Sequence, residues 1–172
     1  MKKDTYKSIG TLWMPVKDHE AEYDIDMETG AIKAHYNTTY VCKKYGKLVT
    51  VHRSSKKTLK GTVTSRGYVQ VVLAKGKRKE DRFGKFRYVH DLVAELVWEK
   101  PAEQEYYTKH ARKVQVYHLD GDKENNAWWN LAWRVVLGDG EGTWYPPRKM
   151  TKEFKKIYDE ALAERGEEWT LA

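Results

Sequence analysis

The chain has 172 residues, 40% hydrophobic and 13% aromatic, with a net charge of +7 and one cysteine. That length and aromatic content suit one domain, or a small domain with extensions, and exclude a disordered tail. Cys42 alone excludes an internal disulfide and any multi-cysteine zinc site, and it reads as a packing residue, so a metal would need His, Asp, Asn or water ligands. No apolar run reaches membrane-spanning length and Met1-Lys2-Lys3-Asp4 lacks the apolar stretch of a signal peptide, so a cytoplasmic protein with no membrane partner is expected.

In chain order, Tyr23-Asp24-Ile25-Asp26 and Thr29-Gly30-Ala31-Ile32-Lys33 alternate as a strand, turn and strand, giving a small hairpin within residues 1–40. Residues 41–87 hold the charge. From Val41 to Arg87 there are fifteen Lys or Arg against Glu80 and Asp81, a local charge of +13, which leaves −6 for the rest of the chain. Strand-like runs at Lys47–Val51 and Tyr68–Leu73 would array these cations along a ribbon. Lys43, Lys44, Arg53, Lys56, Lys57, Lys60, Arg66, Lys75, Lys77 and Arg78 are then candidate contacts to double-stranded DNA, whose major groove admits a two-stranded ribbon. A solvated face is the alternative for such a run.

Arg87 to Trp98 carries Val89, Val93, Leu96 and Val97 at helical spacing, with Pro101 marking the helix end. After a charged connection, Val114 to His118 alternates as a strand and Asp120-Gly121 reads as a hairpin-type turn. Asn125 or Asn126 can cap a short helix over Trp128–Trp133, which His118 would face from the strand end. Trp128, Trp129 and Trp133 are expected mainly in the core. In residues 138–172, Thr151 is a good N-cap and Gly166 a good stop for a helix whose stripe of Phe154, Ile157, Tyr158, Ala161 and Leu162 packs on the core by default.

The run Tyr117-His118-Leu119-Asp120-Gly121, the Asn125-Asn126 pair and Asn130-Leu131-Ala132-Trp133 together resemble the HNH (ββα-metal) nucleases, in particular the homing-endonuclease branch of phages and introns. Val89-His90-Asp91-Leu92-Val93-Ala94 is similar to that family's Val-His-x-Leu-Val-Ala signature. Trp13, Tyr23, Ile25, Gly30 and Ile32 resemble the nuclease-associated modular DNA-binding element that precedes such domains, with Asp26-Met27 where the typical element has Ser-Asn. The resemblance implies an α+β fold with an HNH core over 88–137, small antiparallel hairpins before it and a C-terminal helix after it.

It further implies a catalytic pair, with His118 the general base and Asn130 tying the motif together, supported by His90, Asp120, Gly121 and Asn126. His90 either supports the core or approaches the DNA backbone. The family's reaction is phosphodiester hydrolysis with one divalent cation, Mg²⁺ or Mn²⁺, which holds a non-bridging oxygen and stabilises the leaving oxygen. Relatives place an acidic ligand immediately before the catalytic His, where this chain has Tyr117, a poor partner for a hard cation. Asp139 is the candidate metal ligand, with a loop-capping role as its alternative. The expected function is therefore a DNA endonuclease. The rival is a catalytically degenerate derivative that binds DNA or regulates a host nucleic-acid enzyme.

Overall fold

In the computed structural model, residues 6, 8–17, 23–44, 47–73, 85–102, 111–138 and 142–170 are described, with side chains described outside 36–44, 47–56, 85, 111–112 and 165–170. Among the described residues the alternating runs form three antiparallel sheets, and with two α-helices they make an α+β fold. The first sheet orders β1 (Trp13–Pro15), β2 (Tyr23–Asp26), β3 (Ile32–Lys44) and β4 (Lys47–Leu59) side by side. Asp26 shapes the β2–β3 turn: its carboxylate accepts from Leu12 N, Glu28 N and Thr29 Oγ1 at 3.0, 3.2 and 2.7 Å. Gly30, at φ +74°, lies so close to α1 and to the loop near Asn126 that an added Cβ would stand 2.7 Å from Val89 Cγ1 and 3.1 Å from Asn126 Cβ.

Lys47–Val51 belongs to a longer strand than its sequence run suggested, and its partner is β3. The pairing of β2 with β3 stops at Tyr23↔Ala34, whereas β3 and β4 stay paired from Ile32↔Leu59 out to Lys44↔Lys47. Beyond Ala34 the sheet is thus a two-stranded ribbon about 30 Å long. The boundary expected at residue 40 falls inside β3. Tyr68–Leu73 lies in a different sheet, where β6 (Val69–Leu73) sits between β5 (Thr62–Val63) and β7 (Lys85–Tyr88).

Helix α1 (Val89–Val97) buries Val89, Leu92, Val93, Ala94 and Val97, the face its apolar spacing dictates. It ends four residues before Pro101. Trp98 turns extended (φ −110°, ψ 128°), bridges to Met150 and donates its indole hydrogen to Trp128 O at 3.0 Å, and that anchoring stops the helix.

The helix expected over Trp128–Trp133 is absent. Trp128–Asn130 makes a single 3-10 turn, and Leu131–Leu137 is strand β9, paired with β8 (Ala111–His118) and β10 (Thr143–Trp144). Extended backbone lets Leu131, Trp133 and Val135 point inward from alternate positions, with Trp133 Nε1 3.1 Å from Trp98 O, and the β-branched Val135-Val136 favours it. Helix α2 (Lys152–Thr170) runs through Gly166, a break of only about 1 kcal/mol that the helix formers Glu167 and Glu168 outlast. Thr151 caps it, accepting from Phe154 N at 3.3 Å while its hydroxyl donates to Leu96 O at 2.7 Å.

One hydrophobic core joins these parts, running from Ile9 and Ile25 through Leu92, Trp98 and Trp128 to Phe154. Tyr6, Trp98, Trp128 and Phe154 pack edge-on or tilted within it, with centroids 5.0–6.1 Å apart in the pairs Tyr6–Trp98, Trp98–Trp128 and Trp128–Phe154, and Tyr158 meets Tyr6 and Trp128 edge-on and stacks on Phe154.

Candidate functional site

β8 delivers His118 to the base of a long loop that returns at Leu131, its cross-strand partner. Because side chains alternate on a strand, Val116 and His118 turn inward while Tyr117 turns to the opposite face, against Tyr145 (centroids 5.1 Å) and Arg134 (5.9 Å). His118 is buried. Its Nε2 lies 2.8 Å from Asn126 Oδ1, so with that oxygen as acceptor the hydrogen sits on Nε2 and Nδ1 is the basic nitrogen.

The loop is held by its own amides. Asn130, buried, donates Nδ2 to Asp120 Oδ1 (2.8 Å) and to Asn125 O (2.9 Å), and its Oδ1 accepts from Asp120 N (3.1 Å). Gly121 follows Asp120 at φ +78°, a left-handed conformation that favours glycine. Asp120 also accepts from Asn125 Nδ2 (2.9 Å) and Asp122 N (2.8 Å). The Asn125 bond, helped by Asn130 and Asp122, holds the Asp120 carboxyl below its usual range. Asp120-Gly121 is therefore one turn inside a wider loop rather than a two-residue hairpin connection.

In place of the expected helix, His118 faces α1. The His90 ring meets His118 edge-on at 5.2 Å, and His90 stacks on Tyr88 at 5.1 Å. Tyr68 lies 5.2 Å from His90 and 6.2 Å from His118. Burial, with His118 adding to it, lowers the His90 pKa to about 4, so the ring is neutral near pH 7, and its Nδ1 is buried without a hydrogen bond. The neighbouring Asp91, 3.4 Å from His90 Nε2, is raised to about 6, chiefly by burial and then by Glu95. Lys123 reaches over the Tyr68 ring at 4.6 Å and donates to Arg66 O at 2.7 Å.

Of the sequence-derived positions, His90, His118, Asp120, Gly121, Asn126 and Asn130 share this neighbourhood. Lys43, Lys44, Arg53 and Lys56 have their backbones in the β3–β4 ribbon, and Lys57, Lys60 and Arg66 are exposed. Lys75, Lys77, Arg78 and Asp139 lie outside the described residues. Sequence reasoning missed Tyr68, Tyr88, Asp91 and Lys123. Tyr88 adjoins the Val89-His90 run and could have been found from it; Tyr68 could not, because the pairing of β6 with β7 brings it there.

No group of three His, Cys, Asp or Glu side chains among the described residues could hold a divalent cation. Tyr117, moreover, stays a neutral phenol, its pKa raised by burial and by Tyr145, and a carboxylate in its place would meet Arg134 before it met His118.

No family model and no curated protein matches the chain. It is similar to a solved structure described as "DNA binding and cleavage by the HNH homing endonuclease I-HmuI", at 25% sequence identity and a TM-score of 0.42. The likeness covers 90% of this chain and 59% of that one. Among the described residues no helix is long and apolar enough to cross a membrane.

Proposed function

We propose that the protein binds duplex DNA and hydrolyses its phosphodiester bonds as an HNH-type endonuclease, with His118 as general base. The observation that carries this reading is the contact of buried His118 Nε2 with Asn126 Oδ1 at 2.8 Å: with that oxygen as acceptor, Nδ1 is the nitrogen left to take a proton from water attacking phosphorus. The Asp120–Asn130 pair supports it by bracing the loop that carries Asn126. The His118-to-Trp133 motif resembles the HNH pattern at His118, Asp120-Gly121, Asn126 and Asn130. The β3–β4 ribbon, carrying Lys43, Lys44, Arg53, Lys56 and Lys57 on paired strands, suits the major groove.

The test is supercoiled plasmid incubated with the protein, with and without Mg²⁺ or Mn²⁺, for wild type and His118→Ala. Nicking or linearisation by wild type, reduced about a hundredfold or more in a folded His118→Ala variant, is expected. Equal cleavage by both proteins rules the assignment out.

A second reading, DNA binding without cleavage, is favoured by Tyr117, which stands where relatives hold an acidic ligand and packs on Tyr145 on the face opposite His118. Plasmid that is bound but stays supercoiled with either cation would decide for it.

A further inference from the structure

The β5–β6–β7 sheet has one face in the core, where Val71 and Leu73 are buried, and one face turned outward. On the outward face Val72 stands opposite Phe86, and Gln70 opposite Tyr88. Val72, Phe86 and Tyr88 remain 47%, 66% and 38% exposed, so a strip of apolar and aromatic surface is open to water. Behind the strip the rings continue inward to buried residues: Tyr88 stacks on His90, His90 meets His118, and Tyr68 touches all three rings. Cations border it at Tyr68, where Lys123 lies over the ring and donates to the backbone of the exposed Arg66.

We propose that this face binds the bases of single-stranded or locally unpaired DNA next to His118. The inference rests on the reading of the protein as DNA-binding and narrows its substrate to a strand whose bases are unstacked. Exposed rings on a sheet beside cations are what a single strand requires: bases stack on the rings while Lys and Arg follow the phosphates. In a closed duplex the base faces are covered by neighbouring pairs, so Phe86 has nothing to stack on. A second copy of this chain would bring one +13 segment against another, which like charge disfavours.

The experiment measures binding of full-length protein to two DNAs of one sequence, fully paired or with a central unpaired bubble containing 2-aminopurine. Wild type should bind the bubble about tenfold more tightly than the duplex and quench the 2-aminopurine. Phe86→Ala should lose both effects with duplex affinity unchanged. Phe86→Trp, which keeps a stacking ring, should retain them. The exposure of Phe86 makes all three proteins fold alike, checked by circular dichroism. Equal affinity of wild type for both DNAs, or a bubble preference that survives Phe86→Ala, overturns the proposal while leaving duplex binding standing. Absence of binding to either DNA removes the DNA-binding reading and the proposal together. A dimer that Phe86→Ala converts to monomer in sedimentation, with no bubble preference, assigns the face to self-association instead.

Discussion

Asn130 and Asp120 exchange two hydrogen bonds, Asp120 N to Asn130 Oδ1 at 3.1 Å and Asn130 Nδ2 to Asp120 Oδ1 at 2.8 Å. This closes the loop between β8 and β9 onto itself, and the Asn130 amide also reaches Asn125 O. Asn130→Ala strips partners from Asp120 N and Asn125 O in a part-buried setting. A loss of about 2–3 kcal/mol in urea unfolding is expected. A change within about 0.5 kcal/mol, typical of an inert surface position, would show that the loop is held by other contacts.

His90 and Asp91 are neighbours with opposite pH behaviour. Folding lowers His90 from 6.5 to about 4, so its contribution is full above pH 6.5 and is lost as pH falls towards 4. Folding raises Asp91 from 3.8 to about 6, so its contribution is full below pH 3.8 and is lost as pH rises through 6. Between pH 4 and 6 the two slopes oppose each other. His90→Gln should leave a stability that falls with rising pH across this window, and Asp91→Asn one that rises. For Asp91, 34% exposed at its side chain, the effect is about 1 kcal/mol after solvent screening. Denaturant midpoints at several pH values read both slopes, and parallel profiles for the two variants would refute the assignment.

The sequence was most legible where one local rule decides. The apolar stripe of α1, the Thr151 cap and the β2–β3 hairpin follow from spacing and capping chemistry within a few residues. It was least legible where partners are distant. Trp128–Trp133 looks helical in isolation, yet Trp133 must reach Trp98, 35 residues away, and a strand does this. The same limit applies to the site. His118, Asn126 and Asn130 stand close in sequence and are visible as a motif, whereas His118 meets His90 and Tyr68 only through the docking of α1 and β6.

The β3–β4 ribbon predicts how binding responds to salt. Its described backbone aligns Lys44 with Lys47, with Lys43 next to it on β3 and Arg53 and Lys56 further along β4, bringing cations from both strands into one ribbon. Replacing Lys56, Lys57 and Lys60, at the base of the ribbon and just past the end of β4, together with Glu should weaken duplex affinity strongly and reduce the slope of log affinity against log salt by about three. Fluorescence anisotropy from low to moderate salt measures both. Tight binding indifferent to salt and to these changes would mean that the basic segment around the base of the ribbon is a solvated face.

Tyr117 offers a last test, of whether the strand position before His118 can hold a cation in this protein. In the resembling family an acidic residue there holds the metal, which suggests Tyr117→Asp as a repair. The alternation of β8 argues otherwise: Tyr117 lies with Tyr145 and Arg134, while His118 turns inward to Asn126 and His90. A carboxylate at 117 would pair with Arg134 and Arg148, the two cations whose fields already reach the phenol. Tyr117→Asp should therefore change Mg²⁺ and Mn²⁺ affinity less than about twofold and lose about 1 kcal/mol of stability with the ring contact to Tyr145. Titration calorimetry with each cation and urea unfolding provide the two numbers. A tenfold gain in cation affinity, about 1.4 kcal/mol, would show that position 117 reaches the His118 side of the strand.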